Sequence, residues 1–369
     1  MSAPRILFIG GFLGAGKTTL LFEAAKRLAA RGERIGLITN DQAPALVDTA
    51  ILERTGAAVS EVSGRCFCCN FPGLVAAIDT LTQQSKARIV LAEPVGSCTD
   101  LSATILQPLK DSKGGEVALG PLSVLVDPTR LSSILEGNSA GFHDSSAYIF
   151  RKQLEEADII LLSKADTLDT HTRHELGSRL ASAYPQAKVF AVSAKSGQGM
   201  EAWLDAALTA ADAGTHLATV DYDVYAEGEA VLGWLNATYH LKSVAPVEWR
   251  AFAERLLGSL SDCFDSIKAA VGHVKLALET GDSLITANLV GSRDTLEIHG
   301  EPMICATAKL TLNARVQMSP QELENIVREQ MQTICGSVIQ VAPIAWRCLS
   351  PGRPNPTYRY PVVENVSGQ

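Results

Sequence analysis

A chain of 369 residues is longer than one hydrophobic core ordinarily organises, so two domains are the expected count. Its 46% hydrophobic and 20% charged residues indicate a globular protein and argue against extensive disorder. The formal net charge of −8 works against non-specific nucleic-acid binding, and no apolar run approaches the roughly 20 residues of a membrane span.

The opening "MSAPRILFIGGFLGAGKTTLL" is not read as a signal peptide, because Lys17 and two threonines interrupt it and no small-residue cleavage site follows. Cytoplasm, where thiols stay reduced, is the expected compartment. Within that opening, 5–10 reads as a short buried strand. Residues 17–31 read as an amphipathic helix with Leu20, Leu21, Ala24, Ala25 and Leu28 on one side. Between them "GFLGAGKT", Gly11 to Thr18, fits G-x-x-x-x-G-K-[ST] in the strand-to-helix setting that the motif requires. Gly11, Gly14, Ala15, Gly16, Lys17, Thr18 and Thr19 therefore form the expected phosphate loop. Lys17 faces the β and γ oxygens and the Thr18 hydroxyl is a magnesium ligand.

A second strand, 33–40, ends at Asn40-Asp41-Gln42, where a switch loop should lie. Asp41 there is either a ligand for magnesium or a transferred metal, or a helix cap. A helix over 73–84 precedes the strand 87–94, "ARIVLAEP", with Glu93 at its tip. An acid in that place beside a phosphate loop holds magnesium or orients the attacking water, and the Gly96 N–H is within reach of a γ-phosphate. Strands follow at 122–128, 157–166 and 187–195, with helices at 151–156 and 172–183. Ser163-Lys164-Ala165-Asp166 stands where guanine readers carry Asn-Lys-x-Asp. Asp166 would accept from the guanine edge and Lys164 would lie along the ring. Ser193, Ala194 and Lys195 make a second base-contacting loop. Apolar strands alternating with helices predict a mostly parallel sheet covered on both faces.

The polar stretch 212–229 reads as a linker between a first domain, 1–211, and a second, 230–345. Alternating segments at 231–244, 273–279, 283–291 and 308–318, with helices over about 246–270 and 319–335, predict an α+β domain with an antiparallel sheet. Residues 346–369 form a proline-rich tail expected to pack on that domain. The seven histidines are scattered, and His240, His273 and His299 read as strand or loop residues.

In this order, "GGFLGAGKTTL", "ITNDQ", "GRCFCC", "AEPVG", "SKAD" and "VSAK" resemble the CobW/HypB/UreG group of P-loop GTPases, most closely its CobW-like members. The resemblance covers about residues 1–210 and implies a P-loop NTPase sheet followed by a C-terminal α+β domain. It also implies slow GTP hydrolysis coupled to handling of zinc or cobalt, with a client metalloprotein or cofactor-assembly enzyme as partner. Oligomeric state stays open, a dimer included. Ser163 in place of the usual Asn shortens one anchor of the base site. Carried over by position, Lys17, Thr18 and Glu93 serve phosphate, magnesium and water, Asp166 the guanine, and Cys66, Cys68 and Cys69 the metal.

The thiols support the last assignment on their own chemistry. Cysteines one or two positions apart rarely meet disulfide geometry without strain. Three in four positions, between Gly64-Arg65 and Asn70, is not a core pattern. Thiolates suit zinc or copper(I), and cobalt and nickel accept them. Three sulfurs leave a tetrahedral shell open, to be filled by water, Asp41, Glu93 or a partner's group, as a delivery protein needs. Cys98, two residues after Gly96, is a further candidate near the site, although the small buried residue is the reading preferred for it. GTP is expected to gather the cysteines and hydrolysis to loosen them. A metal-sensing nucleotide switch without transfer is the competing reading, and "SKAD" counts against a small-molecule kinase or ATPase.

Overall fold

The structure, a computed structural model, describes residues 3–41, 47–281, 283–291 and 296–364. Gln42 of the "ITNDQ" element and residues 365–369 of the tail lie outside the described residues.

Eight parallel strands form the first sheet: β1 (Arg5–Gly11), β2 (Ile35–Asp41), β3 (Ala58–Ser63), β4 (Ile89–Glu93), β5 (Ala118–Leu119), β6 (Ser123–Val126), β7 (Ile159–Leu162) and β8 (Lys188–Ala191). Their order is β3-β2-β4-β1-β6-β7-β8, with β5 beside β1. Along β1, Ile6 and Phe8 enter one core with Val90, Ala92 and Phe67. Leu7 and Ile9 enter the other with Leu20, Leu21, Leu37 and Leu91. A strand buried on both faces has to be apolar throughout, which is why "ILFI" carries no polar residue. The helix Lys17–Ala30 lays Leu20, Leu21 and Leu28 on the sheet. Each is at most 1% exposed, a burial that stabilises by roughly 1.5–3 kcal/mol per side chain. Pairing of Phe8 with Ala92 and of Thr39 with Glu93 aligns the carboxyl ends of β1, β2 and β4. Ligands bind at such strand ends in open parallel sheets.

Several elements differ from the sequence reading. The helix placed at 73–84 is Phe71–Asp79, capped by the Asn70 side chain and continued by one wider turn, Thr80–Gln84. The helix placed at 151–156 begins at Asp144, because the His143 side chain caps it ahead of a polar first turn. The stretch read as a linker contains the helix Tyr222–Ala230, whose Asp221 carboxylate accepts from the Asp223 and Val224 N–H groups. The strand β3 and the helices Val47–Glu53, Gln107–Lys113, Pro128–Leu135 and Met200–Thr209 had no assignment. They are short, and several lack a clean apolar period.

The second sheet is antiparallel: β9 (Gly233–Glu248), β10 (Val271–Thr280), β11 (Ser283–Leu289), β12 (Glu297–His299), β13 (Ile304–Val316) and β14 (Ile339–Leu349) in the order β12-β11-β10-β13-β9-β14. Thus β14 takes in the first residues of the stretch read as tail. The helices Trp249–Ser266 and Pro320–Cys335 close one core, where Leu256, Leu260 and Val327 meet Leu276 and Leu312. Ser319 and Glu322 form a reciprocal capping box that starts the second helix.

The other face of this sheet rests on the carboxyl edge of the first. The buried Arg130 guanidinium donates to Leu13 O at 2.6 Å and to Val271 O at 2.9 Å, joining the phosphate loop to β10. Arg315 of β13 pairs with Asp41 at 2.6 Å. At Gly14 (φ +81°) a Cβ would fall 2.5 Å from Val290, so the close approach of the two halves requires glycine there. Among the described residues no helix is long and apolar enough to cross a membrane.

Candidate nucleotide and metal site

The phosphate loop follows β1, and Lys17 Nζ folds back to donate to Gly11 O at 2.9 Å. Burial lowers the Lys17 pKa, and Glu93 opposes that shift. The Thr18 hydroxyl donates to Asp48 Oδ1 at 2.6 Å and meets Glu93 Oε2 at 3.0 Å. Glu93 is buried at the tip of β4. Burial first, then Asp48, pushes its pKa up to about 7 against the pull of Lys17 and Lys275. For Asp48, burial alone would raise the pKa, but Lys275 and Thr18 outweigh it and hold the carboxyl low. Gly96 packs against the loop, where a Cβ would fall 3.0 Å from Lys17 Nζ and 2.8 Å from a Leu13 methyl. Any side chain at this position would push on Lys17 and Leu13.

Beside the phosphate loop a cavity of about 170 Å³ is lined by Gly14, Ala15, Gly16, Thr19, Ser163, Lys164, Asp166, Ser193, Ala194 and Lys195. The structure thus brings the "SKAD" and "VSAK" loops to the phosphate loop. Lys164 takes the left-handed conformation (φ +52°) and pairs with Asp127 at 2.8 Å. Asp166 is exposed at the rim. A smaller cavity of about 90 Å³, holding Lys17, Thr18, Asp48 and Glu93, shares Gly14, Gly16 and Thr19 with it.

The second sheet supplies residues that the sequence reading missed. Lys275 of β10 donates to Asp48 Oδ1 at 2.5 Å and to Thr18 Oγ1 at 3.2 Å, placing an ammonium at the oxygen cluster. Asn288, Glu297 and His299 line both cavities. Asn288 Oδ1 is buried without a hydrogen-bond partner among the described residues. His273 lines the smaller cavity, and burial, then Lys275, holds its pKa well below the usual range. In the sequence these are polar positions of alternating strands, and nothing local distinguishes a covered face from a solvated one. Asp48 was missed as well. Asp41, by contrast, lies with Arg315 rather than in the Thr18–Asp48–Glu93 set.

The sulfur atoms of Cys66, Cys68 and Cys69 lie within 4.8 Å of one another, and all eight cysteines are free thiols. Cys66 and Cys68 Sγ are 3.1 Å apart, and Cys68 and Cys69 Sγ 3.8 Å. Donation from the Cys68, Cys69 and Cys98 thiols holds the Cys66 pKa well below its ordinary value. The reciprocal effect raises Cys68 and Cys98, and lifts Cys69 to about 11. The loop is fixed by Asn40, whose Nδ2 donates to Val62 O (2.8 Å) and Arg65 O (2.9 Å) while its Oδ1 accepts from Phe67 N (2.8 Å). The proline-rich tail runs across the loop. Thr357 N donates to Cys68 O at 2.8 Å, and Asn355 N to Cys69 Sγ at 3.3 Å. Beside the thiols a cavity of about 330 Å³ is lined by Cys66, Cys69, Glu229, Arg353 and Asn355.

Residues 5–191 match the model of the CobW/HypB/UreG nucleotide-binding domain. The chain is 31% identical over 169 residues to the zinc chaperone YeiR of Escherichia coli, a match covering 44% of this chain and 47% of that protein. It is 28% identical over 211 residues to the zinc chaperone CobW of Pseudomonas aeruginosa, covering 49% and 54%. The chain therefore spans about half the length of the curated relatives it matches. Among solved structures, hydrogenase maturation factor HypB from Archaeoglobus fulgidus aligns with a TM-score of 0.39 at 20% identity, over 55% of this chain and 87% of that one. The Zn(II)-bound YjiA GTPase of E. coli aligns with a TM-score of 0.37 at 15% identity, over 90% and 99%. The matched segment takes in the phosphate loop, the thiol loop, Glu93 and the "SKAD" loop, and the chain belongs to the CobW/HypB/UreG family.

Proposed function

We propose that this chain binds GTP, hydrolyses it slowly, and couples the cycle to holding a zinc or cobalt ion on Cys66, Cys68 and Cys69 for delivery to a client metalloprotein or cofactor-assembly enzyme. The observation that carries this reading is Asn40. One side chain at the end of β2 makes three hydrogen bonds to the segment that bears the thiols. It stands one position before Asp41, where the chain leaves the sheet beside the phosphate loop. Any shift of that strand end with nucleotide state therefore moves the thiol loop too.

In this reading Lys17 and the loop amides hold the phosphates, while Lys164, Asp166 and Ser193–Lys195 hold the guanine. Thr18, Asp48 and Glu93 converge with oxygen donors alone, the set that magnesium takes. Those residues would hold magnesium, which would supply charge neutralisation at the phosphates. Glu93, buried beside Lys17, is the residue to orient the attacking water. Sulfur donors, and the zinc-chaperone names of the matched relatives, favour zinc as cargo.

A competitive titration of zinc and cobalt onto apo-protein, with a non-hydrolysable GTP analogue or with GDP, tests the coupling. Tighter binding in the analogue form is expected, and equal affinity in the two forms would sink it. Hydrolysis-dependent transfer to an apo-acceptor separates delivery from a switch that only senses metal.

A further inference from the structure

We propose that residues 353–360 form a strap that closes the thiol loop, and that release of the strap at an Arg359–Asp100 latch opens Cys66, Cys68 and Cys69 to metal exchange. The role in metal exchange rests on reading those thiols as the cargo site. The strap itself rests on contacts alone.

The stretch runs Arg353-Pro354-Asn355-Pro356-Thr357-Tyr358-Arg359-Tyr360. Pro354 and Pro356 carry no N–H and fix φ, which keeps the chain extended at little entropic cost. From Pro354 to Thr357 the backbone donors are therefore Asn355 and Thr357, and both face the thiol loop. Asn355 N donates to Cys69 Sγ at 3.3 Å, and Thr357 N to Cys68 O at 2.8 Å. The Tyr358 ring then meets Phe71 edge-on, with centroids 5.4 Å apart. Cys66 and Cys68 are 4% and 3% exposed in this arrangement. The cavity of about 330 Å³ beside them has Cys66 and Cys69 on one wall and Arg353, Pro354 and Asn355 on another. An ion that reaches the sulfurs through this cavity passes the tail.

The latch lies at the end of the strap. Asp100 is fully buried and takes a left-handed backbone conformation (φ +64°) that few residues other than glycine adopt. Its carboxylate accepts from Arg359 Nε at 2.6 Å and from the Tyr222 hydroxyl at 2.7 Å. Tyr360 N donates to Ala103 O at 3.0 Å. Asp100 lies on the chain that leaves Glu93, so the strap is tied to that segment as well as to the thiols it covers. On the outer side Asn355, Thr357 and Arg359 are exposed. A segment held by few hydrogen bonds and open to solvent on one side opens locally while the rest of the fold stays intact.

A tail that merely props the loop has a different signature. Loss of a prop lowers metal affinity, whereas loss of a strap speeds entry and exit together and leaves the affinity near its wild-type value.

The experiment uses the full chain with Arg359→Ala and, independently, Tyr358→Ala. In apo-protein, alkylation of the peptide bearing Cys66, Cys68 and Cys69 is followed by mass spectrometry. Cys263 and Cys305, in the second half of the chain, serve as internal references. Zinc uptake, and zinc release to a chromogenic chelator, are timed on the same proteins. In Arg359→Ala, loss of a charged hydrogen-bond partner should raise alkylation and both zinc rates by at least about tenfold, with the references and the zinc Kd unchanged. A smaller acceleration is expected in Tyr358→Ala. Unchanged alkylation in both variants would overturn the strap and leave the proposed function standing. Faster release with weaker Kd and unchanged uptake would overturn it in favour of a prop. Faster alkylation in variants of a chain that binds no zinc would uphold the strap and overturn the proposed function. Should Arg359→Ala speed the reference cysteines too, its fold is lost and Tyr358→Ala decides.

Discussion

At the phosphate centre Lys17 and Lys275 face Asp48 and Glu93, so two ammonium groups stand against two carboxyls before any ligand arrives. At the thiol centre the sulfurs of Cys66, Cys68 and Cys69 lie within 4.8 Å of one another, with Glu229 on the wall of the adjoining cavity. Arg65 and Arg353 line that cavity, and Arg353 is engaged by Asp223. One centre balances its charge internally, and part of the balance comes from the second sheet. The other gathers three thiols beside a buried carboxyl. The difference assigns distinct work to the two halves. The antiparallel sheet reaches the phosphate-loop side through Arg315, Lys275 and Asn288, whereas the thiol side is built from the first half, the helix Tyr222–Ala230 and the tail.

The largest expected effect breaks the link between the halves. Arg315→Met removes the guanidinium that pairs with Asp41 between side chains 1% and 13% exposed. Loss of one partner of a buried pair costs about 3–5 kcal/mol. Urea unfolding should therefore reach its midpoint at clearly lower denaturant than in wild type. An unchanged midpoint would mean that the two halves do not depend on this contact.

Next, Lys17→Ala tests whether the centres are separable in the absence of nucleotide. Removing a charged hydrogen-bond donor costs up to about 3 kcal/mol, which is roughly a hundredfold in affinity. Binding of a fluorescent GTP analogue should weaken by about that factor, while cobalt affinity of the nucleotide-free protein stays at its wild-type value. A parallel loss of cobalt binding would show that the thiol loop depends on Lys17 directly. Lys275→Met sharpens the comparison from the other side. It leaves Asp48 and Glu93 with one ammonium fewer, so magnesium affinity of the nucleotide-free protein should rise by about tenfold, ~1.4 kcal/mol. Isothermal titration reads it, and weaker magnesium binding would contradict the charge-balance account.

How much of this the sequence carried follows from the kind of constraint each residue satisfies. The phosphate loop is legible because its glycines are demanded by backbone geometry within eight consecutive residues. The thiol loop is legible because three sulfurs in four positions have few other uses. Lys275 is not. In "HVKLALE", Val274 and Leu276 point to the core while His273 and Lys275 share the opposite face. Pattern alone reads that face as solvated. Asp48 lies on a seven-residue helix with too few turns to show a period. Residues from distant strands meet at these sites only through the packing of one sheet on the other, which no local pattern encodes.

A further test concerns the anchor beyond Cys98. Glu156 is fully buried, accepting from Thr99 Oγ1 at 3.0 Å and from Ser102 N at 2.8 Å. Burial first, with Asp100 adding to it, pushes its pKa from 4.5 up to about 8, against the hydrogen bonds from Ser102 and Thr99. A carboxyl whose folded value lies above its unfolded value keeps its proton in the folded chain where the unfolded chain has lost it. The stabilisation it contributes is complete below the unfolded value and is lost as pH rises through the folded one. Glu156→Gln fixes the neutral form, so relative to wild type its melting temperature should climb between about pH 4.5 and pH 8, the window set by those two values, and level off above it. Melting curves that stay parallel over that range would mean that Glu156 is already ionised in its pocket. In that case the end of the Glu93–Cys98 segment would be held by an anion, and the thiol centre would have one more negative neighbour for an incoming metal ion to offset.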